Sequence, residues 1–161
     1  MSVEWRALSL TPWWAWLVTR GLKPIENRKW STKKRGWLLI HASQGKPEHR
    51  EEVVQFLESA PTSLKVALEA LDYDLPGDEV PRGGIVACTK IVDCSRNIAG
   101  SPKSPWEMAG QFSFVLSGTM PTPFIPCRGS LSFWKVPTEV VTRLPNEMRV
   151  LALCEHPELL K

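Results

Sequence analysis

The chain has 161 residues, 43% of them hydrophobic and 23% charged, with a net charge of +3. That size suits one domain, read here as residues 1–161, and an apolar fraction near the globular norm with so little net charge excludes a mainly disordered chain. No apolar run approaches the ~20 residues that a bilayer crossing needs, and Glu4 and Arg6 stand where an export signal would have its apolar centre, so a cytoplasmic protein is expected.

In chain order, Glu4 to Leu10 reads as a short strand. Pro12 sits where a first helical turn tolerates proline, so a helix from Trp13 to Arg20 follows and Gly21 caps it. On a helical wheel Trp14, Leu17 and Val18 share one face, with Trp13 at its edge and Trp16 and Arg20 pointing away. Leu22 to Trp30 is short and polar, and Ser31 to Gly36 is a basic turn. Trp37 to Ala42 is a nearly continuous apolar run suited to a buried strand. Pro47 opens an amphipathic helix with Val53, Val54 and Leu57 inward and Glu48, Glu51, Glu52 and Glu58 outward; Pro61 opens a second with Leu64, Leu68 and Leu71 in register. Asp72 to Arg82 is a loop punctuated by Pro76, Gly77 and Pro81.

Beyond Gly83 the pattern becomes one of short strands. Gly84 to Cys94 is rich in β-branched residues, Ser95 to Glu107 is irregular, and Phe112 to Leu116 alternates. Thr119 to Pro126 reads as a separate, proline-spaced extended segment, and Ser130 to Val136 alternates again. A short helix from Thr138 to Leu144 and a further one within Asn146 to Leu160 complete the reading. Short strands with helices between the early and later ones predict an α+β domain, a small mixed β-barrel with helices packed around it.

Cys88, Cys94, Cys127 and Cys154 form no CxxC pair and suit a reducing compartment as free, buried thiols. The even separation of Cys88 and Cys94 would put them on one face of a regular strand. His41, His49 and His156 lack the close spacing of metal ligands, so neither metal nor cofactor is expected.

Charge is uneven. Residues 1–50 hold ten lysines and arginines against three acids, and the same stretch carries Trp5, Trp13, Trp14, Trp16, Trp30 and Trp37. Cations that neutralise phosphate, interleaved with flat rings that stack on bases, are what single-stranded nucleic acid requires. A solvated basic face over an aromatic core accounts for the same composition.

The most informative segment is Gly21-Leu22-Lys23-Pro24-Ile25-Glu26-Asn27-Arg28. Pro24 biases Lys23 toward an extended backbone, where Glu26 and Arg28 share a face and Lys23 has the opposite parity. A bend at Pro24 and Ile25 is therefore needed to bring the three together. Taken alone, the spacing is satisfied by an ion pair that ties the segment down.

With Leu8-Ser9-Leu10, Trp14-Ala15, Trp30, Arg35-Gly36, the Leu38 to Ser43 strand, Gly84-Ile85-Val86, Ile91 to Cys94, Arg128-Gly129 and Phe133-Trp134-Lys135 in order around this GxKxxExR pattern, the chain resembles the ASCH domain, a branch of the PUA-like superfamily. The resemblance implies a PUA-like barrel with a cleft lined by that segment, and recognition of single-stranded RNA or a modified nucleotide. Lys23 and Arg28 would hold phosphate or a base edge and Glu26 would accept from a base amino group. Trp14, Trp16 and Trp30 are the stacking candidates; of these Trp14 is assigned rather to the core, with Trp5, Trp37 and Trp134, which leaves Trp16 and Trp30 flanking the segment, and Lys33, Lys34 and Arg35 would guide the backbone. Some ASCH-like proteins are assigned cleavage of RNA or hydrolysis of an acylated cytidine, with a lysine matching Lys23 central. A hydrolase here would use Lys23 on a developing oxyanion and Glu26 or His41 to move a proton, although the amidohydrolase branch has threonine where this chain has Glu26. A third reading is a protein-interaction module of coactivator type, with Trp16 and Arg20 as its patch.

Overall fold

The computed structural model describes residues 3–98, 102–156 and 158. In chain order these form β1 (Arg6–Leu10), α1 (Pro12–Thr19), β2 (Ile25–Arg28), β3 (Gly36–Ala42), α2 (Pro47–Glu58), α3 (Thr62–Ala70), β4 (Gly84–Arg96), β5 (Phe112–Pro126), β6 (Phe133–Lys135), α4 (Thr138–Val141) and α5 (Asn146–Cys154). The strands make one mixed sheet in the order β2-β5-β4-β3-β1-β6, in which only β1 and β3 run parallel. The class is α+β, as expected. The helix read within Asn146 to Leu160 ends at Cys154; Pro157 and residues 159–161 lie outside the described residues, as do 99–101 of the irregular segment and 1–2 at the start.

The sheet curls into a half-barrel whose two edges approach each other. Trp30, just beyond β2, packs edge-on against Phe114 of β5 and Phe133 of β6 at ring separations of 5.1 and 5.2 Å. Arg28 of β2 donates from Nη2 to the Ser9 carbonyl of β1 at 2.8 Å. That carbonyl lies one residue past Leu8, the last residue of β1 paired with β6, so it is left for a side chain to satisfy.

Strand periodicity sorts the core. Leu8, Leu10, Leu38, Ile40, Phe114 and Leu116 fill the barrel interior, while Ala7, Leu39, Ile85 and Cys88 face outward beneath Val140, Leu144 and Met148 of the C-terminal segment. The third cluster joins Trp13 and Leu17 of α1 to Val53, Leu64, Leu68 and Trp106. Because α1 also buries Ala15 and Val18 against the sheet, it is covered on two sides, and its composition is apolar nearly all round. At the far end Glu155 follows α5 and accepts the Trp37 N–H at 3.0 Å, which secures the start of β3.

Two expectations are corrected. Phe112–Leu116 and Thr119–Pro126 belong to one strand, β5, which bends through Gly118 at φ +62° and three register shifts against β4. Its prolines 121, 123 and 126 are tolerated because β2 pairs only with Phe112 to Val115, leaving that side of the later strand unpaired. The same bulges break the parity argument for the cysteines: Cys88 packs on the outer face and Cys94 against the interior. All four cysteines are free, Cys88 being fully buried and Cys154 exposed. Among the described residues no helix is long and apolar enough to cross a membrane.

Candidate functional site

Helix α1 ends where Gly21 takes φ +71°, and its last carbonyls accept from Gly21, Leu22 and Lys23. The chain then turns through Pro24, whose carbonyl receives Leu116 N–H of β5 at 2.8 Å. This is the bend that the GxKxxExR spacing requires. Lys23 folds over it, donating from Nζ to the Ile25 carbonyl and, at 3.1 Å, to Glu26 Oε2. On the other side of the same carboxylate, Arg28 Nε stands 3.1 Å from Oε1, close enough for an ion pair though not aligned as a hydrogen bond. The Lys23 ammonium also lies 5.1 Å from the centre of the Trp14 ring.

One carboxylate thus serves two cations, and the triad carries a net +1. Lys23 is 2% exposed, and burial pushes its pKa below the usual lysine value while Glu26 opposes the shift. Arg28 is the more open cation, with 23% of its side chain exposed.

These groups line a cavity of about 310 Å³ together with Trp14 and the β1–α1 junction from Ser9 to Thr11. Asn27, Met108 and the exposed Glu52 of α2 complete it. Asn27 builds part of the wall: it donates to the Trp106 carbonyl and accepts the Met108 N–H, both at 2.9 Å, and so pins the loop before β5. Thr11 Oγ1 is buried there without a hydrogen-bond partner. The volume lies at the small end of the ~300–1,000 Å³ usual for ligand pockets.

Lys23, Glu26 and Arg28 are therefore brought together, whereas the other candidates stand apart. Trp16 lines a different depression with Arg20 and Tyr73, its ring 5.8 Å from the Tyr73 ring and 5.3 Å from the Arg20 guanidinium carbon. Trp30 is spent on closing the barrel. Lys33, Lys34 and Arg35 precede β3, which runs parallel to β1, while the cavity opens at the end of β1; the basic turn is at the opposite end of the sheet. There Arg35 reaches Asp93 at 3.4 Å, and Lys34 sits near Glu155 and Arg6 with its pKa lowered by burial. The ring at the cavity is Trp14, held edge-on against Phe56 at 5.4 Å. A helical wheel placed it correctly beside Leu17 and Val18 but carries no sign that Trp14 meets the Lys23 ammonium. Asn27, Thr11 and Met108 had no signal beyond their proximity to the motif or the loops.

His41 is 3% exposed and lies at a second cavity. Its Nε2 faces the Cys127 carbonyl at 3.0 Å and must carry the hydrogen, so Nδ1 accepts from Ser9 Oγ at 3.0 Å, and that oxygen accepts Trp134 Nε1–H at 3.1 Å. Burial pushes the imidazole pKa below its ordinary value, which keeps this chain of bonds in its neutral form near pH 7.

The ASCH domain model matches residues 8–119, a span that contains Lys23, Glu26, Arg28 and every residue lining their cavity. Human Activating signal cointegrator 1 is 30% identical over 138 residues, covering 83% of this chain and 22% of the human protein. The mouse protein of that name is 28% identical over 137 residues with the same coverage. The chain therefore spans less than a quarter of the length of these relatives. With the family model covering well over half of the chain and the curled sheet of the PUA-like fold beneath it, this protein belongs to the ASCH domain family.

Proposed function

We propose that the chain is a nucleic-acid-binding module that takes a single-stranded RNA base or modified nucleotide into the Lys23–Glu26–Arg28 cavity. The observation that carries this reading is the convergence of an aromatic ring, a carboxylate and two cations on one cavity of base size. Trp14 offers a stacking surface, Glu26 an acceptor for an exocyclic amino group, and Arg28 a partly open donor for a phosphate or base edge. Thr11 Oγ1 adds a polar group with no competing partner. The whole chain, residues 1–161, acts as one unit in this reading, and its free thiols suit the cytoplasm.

Fluorescence titration with single-stranded RNA at varied salt tests the proposal. Base stacking is worth ~1–3 kcal/mol, so Trp14→Leu, which keeps an apolar group against Phe56, should weaken binding about tenfold. Trp16→Ala should leave RNA affinity unchanged. Absence of affinity even at low salt, or indifference to Trp14→Leu, refutes it. Loss of a protein partner on Trp16→Ala would instead favour the interaction reading that the cointegrator name of the relatives suggests.

A hydrolytic reading has one observation in its favour, the buried Lys23 with its lowered pKa beside a carboxylate. Incubation with labelled RNA and with acylated cytidine decides it: turnover abolished by Lys23→Ala supports it, and no turnover removes it.

A further inference from the structure

Ser9 belongs to two cavities at once. Its carbonyl holds Arg28, while its hydroxyl bonds His41 in the wall of the second cavity, which has a volume of about 680 Å³. That second cavity is a built one. Ser43 N–H bonds the Leu10 carbonyl, Gly83 N–H the Ala42 carbonyl, Cys127 N–H the Gly83 carbonyl, and His41 Nε2–H the Cys127 carbonyl, so the ends of β1, β3 and β5 are tied into one rigid mouth. Gly129 comes so close to this wall that a Cβ there would stand 2.5 Å from His41 Cε1 and 2.6 Å from Ser9 Oγ.

The groups that remain free define the occupant. Ser43, Gln44 and Ser130 line the cavity with neutral polar side chains. The single charged residue lining it is Arg128, which is exposed and pairs with no carboxylate among the described residues. At its edge Leu131 is 91% exposed, an apolar side chain with nothing on it. A cation without an acid, hydroxyls and an uncovered apolar group together suit a phosphodiester and the base that follows it.

We infer that the second cavity seats the neighbouring nucleotide, so that the ligand is a strand of at least two nucleotides: one base enters the Trp14 cavity, the strand crosses Ser9, and Arg128 takes the next phosphate with Leu131 under the next base. The inference rests on the base-binding reading above.

Equilibrium titrations compare the four homopolymeric single-stranded hexaribonucleotides with the four nucleoside 5′-monophosphates. The hexamer of the preferred base should bind at least tenfold more tightly than its monophosphate. Arg128→Ala, at an exposed position that the fold does not need, should reduce hexamer affinity about tenfold. It should also lower the salt slope by ~0.7, the increment for one phosphate of a single strand. Trp14→Leu should weaken both probes, whereas the Arg128 effect should be confined to the hexamer. A hexamer no tighter than the monophosphate, or hexamer affinity and salt slope unmoved by Arg128→Ala, overturns the second subsite while leaving the first standing. Failure of both probes to bind the unmodified protein overturns the base-binding reading and this inference with it.

Discussion

The Glu26 carboxylate is the group on which the site depends, and Glu26→Gln isolates its charge. The amide keeps the shape and one acceptor but no charge, so Lys23, 2% exposed, is left with neutral partners, the amide oxygen, the Ile25 carbonyl and the Trp14 ring, to offset its ammonium. Arg28 keeps its bond to the Ser9 carbonyl and is the more exposed of the two cations, so most of the cost falls on Lys23. Breaking a buried pair from one side typically costs ~3–5 kcal/mol, and the lower end applies because a lysine with an already depressed pKa can shed its proton. A loss of about 3 kcal/mol in a chain of this size lowers Tm by roughly 6–12 °C. Urea denaturation followed by tryptophan fluorescence measures it, and Lys23→Met in the Glu26→Gln background should recover about half or more, since removing both charges removes the unpaired ammonium. The loss should also shrink at high pH, where Lys23 is neutral. A cost below about 1 kcal/mol, or no rescue by Lys23→Met, refutes the view of Glu26 as the counter-ion of a buried lysine.

Asn27→Ala removes both bonds that hold the loop before β5 and should cost ~1–3 kcal/mol, with faster proteolysis between residues 102 and 111; an unchanged cleavage pattern would place the loop's anchor elsewhere. His41 has a folded pKa below 6.5, so the unfolded chain binds the extra proton first, and stability present above pH 6.5 is lost as pH falls toward the folded value. His41→Gln, whose amide can both accept and donate, should therefore lose less stability between pH 7.5 and 5 than the unmodified chain in thermal melts, and equal losses contradict the assignment. Cys88 is fully buried with its thiol pushed up to about 12, while Cys154 is exposed. A thiol reagent at pH 8 should react rapidly at Cys154 and reach Cys88 only on unfolding, so a fast phase retained in Cys154→Ser and mapped to Cys88 would refute this.

Local pattern was enough for much of the fold. Proline and glycine bracket α1, the apolar run of β3 marks a strand buried on both faces, and the parity of Lys23, Glu26 and Arg28 demanded the bend that Pro24 supplies. These are properties of a few consecutive residues, and the GxKxxExR triad was legible for that reason. Which tryptophan meets the triad was not legible. Trp14 and Trp16 differ by two positions on one helix, and their roles depend on whether Lys23 or Tyr73 packs there. Distance along the sheet was also hidden: Lys33 to Arg35 follow the motif closely in sequence, yet the parallel pairing of β1 and β3 puts them at the far end from the cavity. The bulges of β4 and β5 reversed the parity expected for Cys94, because one extra residue in a ladder exchanges its faces. The sequence by itself determined an α+β chain with a charged triad after a capped helix. Only the tertiary structure decided which ring, which loop and which neighbouring cavity surround that triad, since those contacts join segments whose approach is set by the curl of the sheet.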